Sequence, residues 1–238
     1  MIYKVGILGV TGRMGSELCS LLGSGIDFMG DWFEPGDFVC QRKKVTTIET
    51  IPVRTLDEPA REPVHVWIDF SRPEATLALL EQAEAPVVVA TTGFSDRERD
   101  RIRERSETLP ILLTPNTSAG IHLIRQWLRL LPQASQAFSP DISIVEEHHR
   151  DKKDAPSGTS KMLAADLLSG GGHAVSTYSI RAGEILGTHT VNIVLGKEEL
   201  TLTHRVSDRR IFAEGALRAA RFLAKQKPGL YSMDDLAI

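Results

Sequence analysis

The chain has 238 residues, 42% of them hydrophobic and 25% charged, with a formal net charge of −3. That usage is ordinary for a globular protein able to bury a core, and it argues against disorder. No global positive field would draw the chain to nucleic acid or an anionic membrane, so an anionic ligand must be met by a local basic site.

The opening MIYKVGILG passes straight into a strand pattern, with no charged leader, apolar signal region or cleavage site, so the expected location is the cytoplasm. Cys19 and Cys40 are the only cysteines. Neither belongs to a CxxC pair, which makes zinc and disulfide frameworks poor readings. No apolar run approaches the roughly 20 residues needed to span a bilayer. Short apolar runs predict buried strands over 3–8, 26–32, 64–70, 86–90 and 110–114. Amphipathic helices are predicted over 13–22, 73–83 and 95–107. Residues 34–56 do not resolve into elements. Strand, helix and strand in succession predict an α/β fold, a Rossmann-like doubly wound parallel sheet.

From about 117 the pattern changes. Helices are expected over 118–131, 159–168 and 215–224. Strands are expected over 141–145, 174–182, 189–195 and 198–206, the last two joined by a hairpin turn at Gly196-Lys197. This predicts a smaller α+β domain with a mixed sheet.

Gly9-Val10-Thr11-Gly12-Arg13-Met14-Gly15 lies between the first strand and the first helix. Glycines there permit a tight turn and let a pyrophosphate approach the helix N-terminus. A plain strand-to-helix turn would also use glycines; the position after the opening strand favours a dinucleotide site. About 20 residues on, an acid at the end of the second strand would bind the adenosine ribose, with Glu34 the first candidate and Asp31 the second. Pro35 follows Glu34, and Arg42, Lys43 and Lys44 read as a solvated loop. The expected cofactor is therefore NADH, used at least as well as NADPH. Ser71 reads as an N-cap with Pro73 near the first helical position. Ala90, Thr91 and Thr92 end the fourth strand, where nicotinamide contacts or a simple turn both explain them. The arginine-rich face of 95–107 reads as solvated surface.

The most informative stretch runs from Glu146 to Ser160. His148, His149, Arg150, Lys152 and Lys153 fall within six residues, and Pro156-Ser157-Gly158-Thr159 then opens a helix. Metal ligation would need a second cluster, which the sequence lacks. Cations on one side and free helix amides on the other would grip a small dicarboxylate.

This run resembles the E-x-H-H-x-x-K-x-D-A-P-S-G-T signature of the 4-hydroxy-tetrahydrodipicolinate reductase family. The GxxGRMG turn, DFSRPE, TTGF, the Asn116 to Gly120 segment, RAGE through GTHT and FAEGA match that family in order, over nearly the whole chain. The resemblance implies NAD(P)H-dependent hydride transfer to C4 of a cyclic dicarboxylate in lysine and diaminopimelate biosynthesis. It implies that His148 is the catalytic acid/base and Lys152 the second catalytic cation. His149 would bind substrate, and Gly158 with Thr159 would hold a ring carboxylate. Gly9, Val10, Thr11, Gly12, Arg13, Met14, Glu34, Ala90, Thr91, Thr92, Thr114, Pro115, Asn116 and Thr117 would contact the cofactor. It further implies a dinucleotide-binding domain at 1–117, a substrate-binding and oligomerisation domain at 118–210, a segment 211–238 returning to the first, and a homotetramer. Two departures stand out. Thr117 replaces an aromatic residue, and the stretch 169–180 is short and lacks a basic, glycine-rich insertion. A dehydrogenase of another amino-dicarboxylate and a non-catalytic nicotinamide-binding sensor are the alternatives; the presence of both His148 and Lys152 weighs against the second.

Overall fold

The computed structural model describes every residue except Ser24, 41–46, 49–50, 59–61, 135–138, 169–173, 237–238 and the side chains of 132–134. The chain divides into two compact units, Met1–Thr117 with Arg210–Ile238, and Ser118–Arg209. The expected shortening within 169–180 falls partly outside the described residues.

The first unit contains β1 (Ile2–Leu8), α1 (Arg13–Leu22), β2 (Ile26–Phe28), β3 (Asp31–Val39), β4 (Thr47–Ile48), β5 (Ile51–Arg54), β6 (Val66–Asp69), α2 (Pro73–Gln82), β7 (Val87–Val89), α3 (Asp96–Ser106) and β8 (Pro110–Leu113). The second contains α4 (Ala119–Ala134), β9 (Asp141–His148), α5 (Gly158–Leu168), β10 (Val175–Arg181), β11 (Thr188–Leu195) and β12 (Glu198–Arg205). The chain then returns to the first with α6 (Arg210–Leu223) and β13 (Gly229–Tyr231). Among the described residues no helix is long and apolar enough to cross a membrane.

In the first unit the strands lie in the order β13-β8-β7-β6-β1-β3-β5-β4, parallel except for the short pairings of β2 with β3 and β4 with β5. Both faces are covered, so the central strands read as continuous apolar runs. On one face Leu18 and Leu22 of α1 and Ala213, Ala216, Leu217 and Ala220 of α6 pack on Val5, Ile7, Val66 and Ile68. On the other, Leu77 and Leu80 of α2 and Ile102 of α3 pack on Leu8, Trp67, Val87 and Ile111. Each large aliphatic side chain buried this way stabilises the fold by about 1.5–3 kcal/mol.

Two sequence expectations change here. Residues 26–32 are not one strand. Met29 and Gly30, at φ 56° and 78°, form a two-residue hairpin turn between β2 and β3. The second parallel strand is β3, and it runs to Val39 through a stretch whose Pro35-Gly36 pair reads as a breaker. The register against β1 slips between Val5 and Ile7, opposite Pro35 and Phe38, and that irregularity accommodates the pair. Arg72, not Ser71, is the N-cap of α2, without a side-chain hydrogen bond, and Pro73 starts the helix.

In the second unit the order is β10-β9-β11-β12, with β10 and β9 parallel and the other pairs antiparallel. Ile142, Ile144, Val191 and Ile193 point to one face and pack on Ile124 and Leu128 of α4 and Leu163 and Leu167 of α5. Asp166 ties the two helices together by accepting from Arg125 Nε at 2.7 Å and Arg129 Nε at 2.9 Å. The opposite face of the sheet leaves Tyr178, Ile180 and Val194 exposed.

Candidate active site

The first unit presents its glycine-rich turn at the carboxyl end of β1. Gly9 holds φ +93°, and a Cβ there would lie 2.8 Å from the Phe70 carbonyl oxygen. The amides of Gly9 and Val10 donate to the Val39 carbonyl at 2.9 and 3.4 Å, joining the turn to the end of β3. A Cβ on Gly15 would lie 2.1 Å from the Gly9 carbonyl oxygen, so only glycine lets α1 seat on the turn. Gly12 caps α1 with no side-chain hydrogen bond, and the first turn carries no acidic residue. The positive end of the α1 dipole, with no acidic side chain in the first turn to offset it, favours an anion at the turn. A dinucleotide pyrophosphate fits this cradle.

Beside it, Asp69 gathers the ends of β6 and β7. Its carboxylate accepts from the Ser71 amide at 2.8 Å, the Ser71 hydroxyl at 2.5 Å, the Thr76 hydroxyl at 2.5 Å and the Thr91 hydroxyl at 3.0 Å. Complete burial pulls its pKa above the ordinary carboxylate range, against the pull of these donors. Of the expected cofactor contacts, Thr91 is thereby buried and committed to Asp69, whereas Thr92 is exposed. The Thr114 hydroxyl donates to the Asn116 carbonyl at 2.7 Å, and that of Thr117 to the Phe212 carbonyl at 2.7 Å. Pro115 is exposed and Asn116 half-buried between these two anchored threonines.

Glu34 requires a correction. It pairs in register with Lys4, while the turn follows Leu8, whose partner in β3 is Val39. Four residues of strand span about 13 Å. Glu34 is therefore in the middle of its strand, not at the end that meets the turn. The reason is the hairpin at Met29-Gly30, which moves the start of the parallel strand to Asp31. Asp31 itself is spent at that start. It accepts from the Met1 ammonium at 2.9 Å and from Arg221 at 2.5 Å, which together hold its pKa down at about 2. The strand end belongs to Val39 and Cys40; Arg42, Lys43 and Lys44 lie outside the described residues.

The second unit builds its constellation at one end of the mixed sheet. Strand alternation sends Glu146 and His148 of β9 to the same face as the apolar Ile142 and Ile144. Register places Arg181 of β10 beside His148, His189 of β11 beside Glu146, and His204 of β12 beside His189. The wholly buried Glu146 carboxylate accepts from His148 Nδ1 through Oε2. Through Oε1 it accepts from Arg181 Nη2 at 2.6 Å and from the Ser157 amide at 3.3 Å. Burial pulls the Glu146 pKa up, but Arg181, Ser179 and His148 outweigh it and the net displacement is downward. Burial lowers the pKa of His148; Glu146 opposes this, while Lys152 and Arg181 add to it.

His148 Nε2 faces Gly187, where a Cβ would come within 3.2 Å. The His148 ring meets that of His189 edge-on at 5.1 Å. His189 Nε2 contacts the Ser157 hydroxyl at 3.2 Å, and that hydroxyl accepts from the Ser160 amide at 3.1 Å, capping α5. Burial, with a further push from His148, drives His189 down to about 3, so it stays neutral. Gly158 and Thr159 open α5. Lys152 donates to Asp154 at 2.8 Å. Arg181 also donates to the Lys152 carbonyl at 3.2 Å and the Asp154 carbonyl at 2.6 Å, which fastens the loop carrying both. His149 is half-buried at the start of that loop. The fold thus gathers His148, Lys152 and the α5 N-terminus. It adds Glu146, Arg181 and His189, which sequence reading leaves without a role. A charged residue at the inward parity of an otherwise apolar strand was the available signal for Glu146. Acceptor atoms of Glu146, His148 and His189 lie within 4.8 Å of one another. Arg181 on Glu146 and the nearby Lys152 make the spot unfavourable for a metal cation.

Residues 3–117 match the dihydrodipicolinate reductase N-terminal family model, and residues 120–237 match the C-terminal one. The chain belongs to the dihydrodipicolinate reductase family. Among its relatives, the 4-hydroxy-tetrahydrodipicolinate reductase of Rubrobacter xylanophilus is 36% identical over 260 residues, covering 99% of this chain and 98% of the relative. That of Bdellovibrio bacteriovorus is 32% identical over 239 residues, covering 98% and 95%. The fold is shared with the dipicolinate-bound dihydrodipicolinate reductase from Paenisporosarcina sp. TG-14, at TM-score 0.72, 19% identity and coverage of 99% and 100%. It is shared more loosely with the C. glutamicum DAP dehydrogenase in complex with DAP, at TM-score 0.54, 13% identity and coverage of 99% and 94%. As a dihydrodipicolinate reductase family member, the chain is an oxidoreductase whose first unit is a dinucleotide-binding domain.

Proposed function

We propose that this chain reduces 4-hydroxy-tetrahydrodipicolinate to tetrahydrodipicolinate in lysine and diaminopimelate biosynthesis, with His148 as proton donor and Lys152 as electrostatic partner. The observation that carries this reading is the setting of His148. Its Nδ1 is anchored on a buried carboxylate, and its Nε2 opens toward Gly187. Gly9, Val10, Thr11, Gly12, Arg13 and Met14 would hold NADH or NADPH through its pyrophosphate, and the bound cofactor would supply the hydride for C4 of the ring, the C4 hydroxyl leaving as water. His148 Nε2 delivers the proton to the neighbouring carbon, a task open to an imidazole because one ring nitrogen can gain and release a proton while the other stays hydrogen-bonded. Lys152 steadies the negative charge that builds in the ring, an effect worth a few kcal/mol at comparable sites (~3 kcal/mol). Gly158 and Thr159 hold one ring carboxylate at the N-terminus of α5, and His149 meets the substrate from the loop. Ala90, Thr92, Pro115 and Asn116 line the nicotinamide end of the first unit, where the anchored Thr91, Thr114 and Thr117 contribute backbone.

NADH serves at least as well as NADPH in this proposal. Among the described residues at that strand end, Val39 and Cys40 bring no cation for a 2′-phosphate, while Arg42, Lys43 and Lys44 lie outside them. The working state is a cytoplasmic homotetramer built through the second unit, whose open sheet face carries Tyr178, Ile180 and Val194.

The test couples the upstream synthase, pyruvate and aspartate semialdehyde to the purified chain, with loss of reduced-nicotinamide absorbance as readout and each cofactor run separately. Synthase-dependent oxidation is expected. Binding of NADH with no oxidation of either cofactor would overturn the reading, and a large preference for NADPH would overturn the cofactor assignment. Light scattering on the purified chain reads the tetramer.

A further inference from the structure

We propose that Glu146 is the positioning residue for proton transfer, holding the neutral His148 in its Nδ1–H tautomer so that Nε2 is the atom that gains and delivers the proton. The inference rests on His148 being the acid. Glu146 is buried, and an ionised carboxylate only accepts hydrogen bonds. His148 Nδ1 must therefore present its hydrogen to Oε2. The other oxygen is occupied by Arg181 Nη2 at 2.6 Å and the Ser157 amide at 3.3 Å, so the carboxylate cannot rotate away without stranding two donors. Arg181 is itself fixed by the Lys152 and Asp154 carbonyls. The ring plane of His148 is set from the other side by the edge of His189. With Nδ1 committed, Nε2 is left on the side of Gly187, where the absent side chain leaves room.

The groups facing His148 have opposing effects on its charge. Glu146 on its own strand favours the imidazolium; Arg181 of β10 and Lys152 of the following loop oppose it. His189 of β11, with His204 of β12 beyond it, is kept neutral by burial. Ser157, leading into α5, contributes a hydroxyl and an amide but no charge. Glu146 is the one group among these that stabilises the protonated acid, so removing its charge must make His148 harder to protonate.

The sign of the expected change follows. A general acid works when protonated, so kcat/KM falls as pH rises through the His148 pKa. In Glu146→Gln that alkaline limb should move to lower pH by about one unit or more. Glu146→Asp, which keeps the charge, should restore most of the limb position. A merely structural role would lower expression or thermal stability and leave the limb in place. Because Glu146→Gln could fail to fold, the first reading is taken on the unaltered enzyme. Imidazole nitrogen NMR, with His148 assigned by its loss in His148→Gln, should show the Nδ1–H tautomer above the pKa. A neutral Nε2–H tautomer, or an unmoved alkaline limb in a folded Glu146→Gln enzyme, would overturn the proposal. Full turnover in His148→Gln would instead remove the acid assignment on which it rests, and the tautomer reading separates the two failures.

Discussion

At the carboxyl end of β1 the turn is largely glycine backbone; at the carboxyl end of β9 ionisable side chains gather. The first region depends on what is missing: Gly9 and Gly15 leave space that any Cβ would fill, and Gly12 leaves the helix end uncapped. The second depends on what is present, a buried carboxylate joined to His148, Arg181 and the Ser157 amide. A site of backbone holds its charge distribution at every pH, whereas a site of titrating groups carries the chemistry and the sensitivity to pH together. The dinucleotide site should therefore answer to shape, and the sheet-end site to charge.

Four experiments can break or sharpen that contrast. The largest effect is expected for His148→Gln, which should lower kcat by about 10²–10⁴-fold while NADH binding stays unchanged. Steady-state kinetics with a fluorescence titration of NADH separates the two, and a parallel loss of binding would mean that the regions do not divide the work as argued. Next comes Gly15→Ala, whose new Cβ would meet the Gly9 carbonyl oxygen at 2.1 Å. It should weaken NADH by about tenfold or more, or destabilise the fold by about 2 kcal/mol, read by titration and thermal melting.

Asp69→Ala is expected to cost about 1–2 kcal/mol, because it removes the buried acceptor shared by the hydroxyls of Ser71, Thr76 and Thr91, of which Thr76 keeps the Arg72 carbonyl. Chemical denaturation measures it, and a neutral outcome would show that the cluster is not under load. The subtlest is the response to acid. His189 sits at about 3 when folded, against its ordinary 6.5. Between those values the unfolded chain binds the extra proton, so the stability held above pH 6.5 drains as pH falls toward 3. Melting profiles of the chain and of His189→Gln against pH should converge at low pH, and identical slopes would contradict the burial argument.

Much of the architecture was legible because it is written in local periods. Helices over 13–22 and 73–83 and the hairpin at Gly196-Lys197 need only nearby residues to be recognised, and each is present where the pattern put it, α2 ending one residue short. The histidine–lysine run was legible for the same reason, since its members are neighbours in the chain. Glu34 misled because a strand end is defined by its partner. Only the hairpin at Met29-Gly30 and the slipped register against β1 show that β3 continues to Val39.

The amino-acid order alone determined the alternation that turns Glu146 and His148 inward, the glycines of the turn and the family to which the chain belongs. The tertiary structure decided which strands stand beside β9, and so it decided that Arg181, 35 residues from Glu146 in the chain, shares that carboxylate with His148 and that His189 packs on the same ring. Periodicity is a property of the backbone and is carried by the sequence itself. Partnership across a sheet depends on register between distant segments, which forms only when the apolar faces of β9, β10 and β11 are buried together.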